Sequence, residues 1–329
     1  NQQSALSPAG PVARQQDQLW RIVFPIAVVV FVLVQGLLLV ALVRYRARSD
    51  DDPAKLPKQV AGNTRLEVMW TIVPALILVG IAVPTVKTIF DLASKPDSPL
   101  EVRVVGKQYW WEFEYTSAEP KGIVTANELV IPTGRDVYLT MESTGQDTGD
   151  PDGVIHSFWV PRLAGKQDVV PGHRRTMTIA ADEPGVYQGQ CAEFCGLSHA
   201  NMRFAVKAVE PAAFQTYVQQ HAEAPPAPDG ELAARGEELF TSATCIVCHG
   251  IGYGEDQARV GPNLSYFAER DKFAGYILDN DVTEGAANVS AWLENPQAVK
   301  PGAQMPNLQL SDDDIEALVA YLATLSSER

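Results

Sequence analysis

Two stretches without a charged side chain constrain this chain before anything else does. Ile22 to Val43 runs uninterrupted between Arg21 and Arg44, and Val68 to Val86 between Glu67 and Lys87. Each approaches the ~20 apolar residues that carry a helix across ~30 Å of hydrocarbon, where every backbone polar group must be satisfied within the segment. Two membrane-spanning helices are predicted, at about 22–43 and about 68–89. A signal peptide can imitate the first, but its apolar region is shorter and ends at small residues. This one ends at Arg44-Tyr45-Arg46.

Basic residues orient the hairpin. Arg44, Arg46, Arg48, Lys55, Lys58 and Arg65 occupy the connector, against Arg14 and Arg21 before the first span. Such an excess marks the cytoplasmic side. The short N-terminus and everything after Phe90 are then expected on the periplasmic or outer face of a bacterial inner membrane.

Asp91 to Pro99 reads as a polar linker. Segments with the period of a half-buried strand follow: Leu100–Val105, Tyr109–Tyr115, Glu128–Ile131, Val137–Met141, Ser157–Val160, Arg175–Ile179 and Phe204–Val209. Turn formers such as Pro132-Thr133-Gly134 and Glu183-Pro184-Gly185 separate them, which predicts an all-β sandwich or barrel of about a hundred residues. His221 to Gly230, with Pro225, Pro226 and Pro228, has the composition of a semi-rigid linker. Beyond it the pattern turns helical at Glu231–Phe240 and Ser311–Leu325. Ser311 is placed to cap the latter, with Asp312, Asp313 and Asp314 at the positive end of the helix dipole. The expected units are 1–95 (N-terminal segment and spans), 96–220 (β-domain), 221–230 (linker) and 231–329 (helical domain).

The net charge is −14, and residues 230–329 alone, with six basic and sixteen acidic side chains, account for −10. A nucleic acid partner is excluded on that balance. An acidic domain either stays solvated or steers a basic protein toward itself.

The four cysteines carry the chemistry. Cys245-Ile-Val-Cys248-His249 is the C-x-x-C-H attachment motif of c-type haem. Two thiols add to two vinyl groups, and the next residue offers an imidazole to the iron from the same turn. A structural or redox C-x-x-C is the competing reading, and the directly following histidine argues against it. A thioether as the other axial ligand raises the potential of the iron. Met305, in the loop Pro301-Gly-Ala-Gln-Met305-Pro306 before the last helix, is the candidate. Met69 lies in a span, and Met141 and Met177 lie in strand patterns where packing is the default role.

The other pair lies in Gln190-Cys191-Ala-Glu193-Phe-Cys195-Gly-Leu-Ser-His199-Ala-Asn-Met202. Thiolates, imidazole and thioether are the soft and borderline ligands that select copper. A mononuclear blue-copper site uses one cysteine and two histidines, so a second cysteine points to two coppers bridged by both sulfurs. The missing imidazole must come from upstream, and His156 is available. A Cys191–Cys195 disulfide and a merely hydrogen-bonded His199 are the bland alternatives. His173 and His221 read as surface residues.

With these motifs in place, Trp20 to His221 resembles subunit II of cytochrome c oxidase, and Pro225 onward resembles the cytochrome c fused to it in caa-type haem–copper oxidases. The resemblance implies a two-helix transmembrane hairpin, an all-β cupredoxin-like sandwich and an all-α class I cytochrome c domain. It implies a binuclear CuA centre on His156, Cys191, Cys195, His199, Met202 and the carbonyl of Glu193, with the Glu193 side chain at a magnesium or manganese ion facing subunit I. Covalent haem c on Cys245 and Cys248, with His249 and Met305 on the iron, is implied too. The segment Val260-Gly-Pro-Asn-Leu264 also resembles class I cytochromes c.

Two further matches come with it. Glu67 resembles the acidic residue at the mouth of a proton-uptake pathway. Tyr109-Trp110-Trp111 falls on the aromatic run where electrons enter, and it departs from the family pattern in having tyrosine first. The implied function is that of subunit II of a proton-pumping terminal oxidase. It takes electrons from a respiratory complex or a cytochrome c and passes them to subunit I, which reduces oxygen beside subunit III in the lipid bilayer. Two alternatives are a subunit of a CuA-containing nitric oxide reductase and a membrane-tethered copper-binding protein with a haem sensor. A nitrous oxide reductase would need more than the five histidines present.

Overall fold

The computed structural model describes residues 3–46, 61–119, 122–143, 153–242, 245–252 and 260–327. The connector residues Arg48, Lys55 and Lys58, on which the orientation partly rests, lie outside the described residues. The chain divides into two units, residues 15–92 and the remainder.

The smaller unit is helical. Helices α1 (Pro11–Arg44) and α2 (Thr64–Ala93) overrun the predicted spans at both ends. Their apolar side chains, Phe31, Leu42, Leu76 and Val83 among them, face outward. That surface is stable only in lipid. Asn63 caps α2, its side-chain oxygen accepting from the backbone N–H groups of Arg65 (3.1 Å) and Leu66 (3.3 Å).

The β-domain is a sandwich of two five-stranded sheets. One has the order β3-β2-β1-β5-β8 and the other β4-β10-β9-β6-β7. The strands are β1 (Leu100–Lys107), β2 (Trp110–Tyr115), β3 (Val124–Ala126), β4 (Glu128–Pro132), β5 (Val137–Ser143), β6 (His156–Trp159), β7 (Lys166–Val169), β8 (Arg175–Ile179), β9 (Gly185–Cys191) and β10 (Arg203–Val209). Alternation drives the layering: Val137, Leu139 and Met141 of β5 turn inward and are fully buried, while Tyr138, Thr140 and Glu142 turn out. Arg103 meets Glu114 and Glu142 across the outer face. Between the sheets Trp111, Phe113, Phe158 and Phe204 form an aromatic core, with Phe158 and Phe204 stacked at 4.5 Å.

Asn127, at φ 61°, marks where the chain leaves one sheet for the other. Its side-chain oxygen accepts from the Trp111 N–H (2.9 Å), and its carbonyl accepts from the Ala205 N–H (2.9 Å). That peptide therefore locks the two layers in register.

Helix α3 (Pro211–Gln220) follows the sandwich and packs Phe214 and Tyr217 around Tyr115. The C-terminal domain contains α4 (Glu231–Ser242), α5 (Cys245–Cys248), a two-residue hairpin β11 (Lys272–Phe273) and β12 (Leu278–Asp279), then α6 (Ala287–Glu294), α7 (Pro296–Val299) and α8 (Asp312–Ala323). Ser311 caps α8 as predicted, its hydroxyl oxygen accepting from the Asp314 N–H at 3.3 Å. Helices α4 and α8 cross closely enough that a Cβ on Gly236 would lie 2.7 Å from the Tyr321 Cβ. Their crossing and the neighbouring loops bury Phe240, Phe267, Phe273, Val289 and Leu318 in one cluster.

Candidate copper and haem sites

The copper-type ligands converge because β6 and β9 are sheet neighbours. Phe158 pairs with Cys191 in register, so His156, at the start of β6, is carried to the end of β9. The loop after β9 closes on itself, with the Cys191 N–H donating to the Met202 carbonyl at 2.9 Å. Within that closed loop Cys191 Sγ lies 3.9 Å from Cys195 Sγ, 3.8 Å from His156 Nδ1 and 3.2 Å from the Glu193 carbonyl oxygen. Cys195 Sγ is 3.6 Å from His199 Nδ1 and 3.9 Å from Met202 Sδ. One ligand atom each from His156, Cys191 and Cys195 fall within 4.8 Å of one another. All four cysteines are free thiols. The Sγ–Sγ separation of 3.9 Å is nearly double the ~2.05 Å of a disulfide, so the disulfide alternative fails here.

The electrostatics show a tightly coupled pair of thiols. A hydrogen bond from the Cys195 thiol, reinforced by His156 and the backbone at Glu193 and Ser157, holds Cys191 well below the usual thiol range. The same bond, together with burial, pushes Cys195 up. Two thiolates so close repel each other, and a cation between them would favour both. The donor set of two sulfurs, two imidazoles, a thioether and a carbonyl fits copper. Gly106 backs the site: a Cβ there would lie 2.8 Å from the His156 ring.

The haem-type residues surround one cavity in the C-terminal domain. Cys245, Cys248, His249 and Met305 all line it, with Phe240 and Leu264 among the apolar walls. The His249 Nδ1–H donates to the Pro262 carbonyl at 2.8 Å, which leaves Nε2 as the free ligand nitrogen. Burial pushes the imidazole down toward its neutral, ligating form. A Cβ on Gly261 would lie 2.6 Å from the His249 ring, so only glycine lets the loop pass there. Apolar walls, paired thiols, an oriented imidazole and a thioether fit a haem.

The aromatic run is divided between the two sites. Trp111 points into the sandwich, with its ring 5.8 Å from that of His156. Tyr109 and Trp110 instead line the haem-side cavity. The Tyr109 hydroxyl accepts from the Leu197 N–H (3.0 Å) in the ligand loop, and Gln108 Nε2 donates to the Cys195 carbonyl (2.6 Å). Glu67 lies in the first turn of α2.

His221 corrects the expectation of a surface residue. It is 8% exposed, its ring lies 4.1 Å from each of the Tyr217 and Tyr266 rings, and its Nε2 is 3.1 Å from Glu269. Two aromatic faces and a carboxylate bury an imidazole more favourably than water solvates it. His173 is exposed as expected. Gly106, Gln108 and Lys300 were missed by sequence reasoning. Gly106 and Gln108 lie just before the aromatic run, which was a usable signal; Lys300, beside the Met305 loop, had none.

Two membrane helices, a cupredoxin-like sandwich with a copper ligand loop, and a helical domain with a haem-binding motif define a membrane-anchored redox protein. The comparisons with known proteins are more specific. Residues 2–88 match the family described as cytochrome C oxidase subunit II, transmembrane domain; residues 100–209 match its periplasmic domain, and 233–326 match cytochrome c. The chain is 38% identical to cytochrome c oxidase subunit 2 of Alkalihalophilus pseudofirmus, over 98% of this chain and 90% of that one. It is 36% identical to cytochrome c oxidase subunit 2 of Bacillus subtilis, over 99% and 92%. Quinol oxidase subunit 2 of Bacillus spizizenii is 34% identical over 66% of each chain.

The chain belongs to the cytochrome c oxidase subunit II family, in the form that carries a cytochrome c domain. It is a subunit of a haem–copper oxidase and has subunit I as its partner. Its two helices fit the inner membrane, with the copper and haem domains on the outer face.

Proposed function

We propose that this chain relays single electrons from a donor on the outer face to subunit I, where oxygen is reduced, through a haem site and a binuclear copper site that share the Tyr109-Trp110-Trp111 segment as a wall. Bound haem iron and a bound copper pair would each supply a one-electron redox centre. Cys245 and Cys248 would hold the haem covalently, and His249 and Met305 would ligate its iron. His156, Cys191, Cys195, His199, Met202 and the Glu193 carbonyl hold the coppers. The Glu193 side chain serves a magnesium or manganese ion toward subunit I, Glu67 marks the mouth of a proton pathway, and subunit III completes the complex.

The domain division 1–95, 96–220, 221–230 and 231–329 follows these roles. The residues' task is to hold ligands still: a closed loop on a rigid sheet leaves little to rearrange when charge arrives or leaves.

The observation that carries this reading is the position of Tyr109, which lines the haem-side cavity while its hydroxyl is bonded into the copper loop. Rapid mixing of the assembled oxidase with a reduced donor tests it. The haem band should grow first and the near-infrared copper band should decay after it. Copper reduced ahead of the haem would overturn the order.

A further inference from the structure

Lys300 is an unusual lysine. It is 4% exposed, in a domain with only six basic side chains. Burying an ammonium is costly without a partner, and its Nζ donates to the Tyr109 carbonyl at 2.7 Å. Two loops of the C-terminal domain close around that bond. Gly275, at φ +80°, approaches so closely that a Cβ would lie 2.5 Å from the Asn201 carbonyl oxygen and 3.0 Å from that of Tyr109. Its own carbonyl accepts from the Arg203 N–H at 2.9 Å. Gly302, at φ +87°, lies against Leu197, whose Cβ would be 3.1 Å from a Cβ built there.

Lys300 also opens the loop that carries Met305. The Ala303 N–H donates to the Lys300 carbonyl at 3.0 Å, and the Gln297 side chain donates to the Met305 carbonyl. On the copper side, Tyr109 is bonded to Leu197 and its neighbour Gln108 to Cys195. A single side chain therefore connects the loop bearing one candidate metal ligand to the turn bearing another.

We propose that Lys300 is a positioning residue for electron transfer between the two sites: its hydrogen bond to the Tyr109 carbonyl holds the Met305 loop in register with the Cys195–Leu197 turn. This rests on the relay described above. A step that depends on two groups being held in a fixed geometry slows when that geometry loosens, so a fixed register has kinetic consequences. Lysine suits the task because its flexible stem reaches a main-chain acceptor across a crowded boundary where a side chain of fixed shape would clash.

The test uses the complete oxidase carrying Lys300→Met, which keeps the length of the side chain and removes the donor. Lys272→Met, at the Lys272–Asp279 pair, is the control for charge. The haem is reduced by a light pulse and the near-infrared copper band is followed in time. Lys300→Met should slow the transfer by up to roughly tenfold, the population shift expected for losing one buried hydrogen bond. Lys272→Met should leave it within twofold. Haem and copper potentials and the melting profile should match the parent in both.

A second readout needs no turnover: exchange of the Arg203 amide, whose acceptor is Gly275, should be slow in the parent and faster in Lys300→Met. Parent-like transfer and parent-like Arg203 exchange in Lys300→Met would overturn the role of Lys300 alone. Failure of the parent itself to pass an electron from haem to copper would overturn the relay instead. If Lys300→Met does not accumulate, the parent's Arg203 exchange decides: rapid exchange there means the junction is not held and the proposal falls.

Discussion

The two candidate redox sites of this chain are built in opposite ways. The candidate copper ligands hang from a sandwich that is complete without them: β6 and β9 are paired, the aromatic core of Trp111, Phe158 and Phe204 is closed, and the candidate ligand loop is tied at its base by the Cys191–Met202 hydrogen bond. The haem-side residues line a cavity instead, and side chains such as Phe240, Phe273 and Val289 have one face on that space. A sheet can hold a metal site before the metal arrives. A small helical domain needs its prosthetic group as part of its core.

That contrast can be broken most severely at Cys195. Cys195→Ser would replace a thiolate proposed to hold copper by a poor copper ligand, so the near-infrared band and the delocalised resonance signal should vanish and oxygen consumption should stop. The haem spectrum should persist, as should the cooperative unfolding of the sandwich. Retention of the mixed-valence signal would remove Cys195 from the site.

The converse change is Cys245→Ala with Cys248→Ala. The helical domain should lose its protease resistance, while the copper signal survives in the same preparation. Turnover with the native donor should fall by roughly two orders of magnitude, the scale set by losing a tethered partner. Added soluble cytochrome c restores part of it, in a salt-dependent way if the −10 charge of residues 230–329 steers the encounter. Loss of the copper signal as well would mean that the sandwich depends on its neighbour.

Met305→Ala is milder. The weak sulfur-to-iron band should disappear and the haem potential should drop, because a thioether favours the reduced iron. Optical redox titration reads both, and an unchanged band would send the search to another ligand.

The smallest effect concerns the boundary between the domains. Burial alone would raise the Glu269 carboxyl, but His221 and the backbone and hydroxyl of Ser327 outweigh it and hold it down to about 2. A depressed carboxyl stabilises the fold above its ordinary value near 4.5 and loses that contribution as pH falls toward 2. Relative to Glu269→Gln, the parent should therefore melt about 2 °C higher at neutral pH. The difference should close below pH 4.5, and differential scanning calorimetry against pH checks it.

Chemistry was more legible in the sequence than architecture. Ligand loops announce themselves because thiol spacing is a local property: the five residues from Cys245 to His249 and the twelve from Cys191 to Met202 carry their meaning in order alone. Strands with clean alternation, such as Val137 to Met141, were also readable. Three were not. Val124–Ala126 is too short to show a period, Lys166–Val169 is mostly exposed and polar at a sheet edge, and Gly185–Cys191 contains two glycines that read as turns although it lies between β10 and β6. The meeting of Lys300 with Tyr109 spans 191 residues. No local pattern encodes an encounter at that separation.

The burial of His221 changes what the following proline-rich segment does. Tyr266 donates to the Gln220 carbonyl at 2.9 Å and also touches that of Glu223, so the last turn of α3 is already seated on the C-terminal domain before the chain leaves for Pro225. The stretch from Ala224 to Asp229 then bridges two points that are held together independently of it, and it carries no mechanical load. A protease that cuts between Pro226 and Asp229 should leave two fragments that travel as one on a gel-filtration column and part only in denaturant.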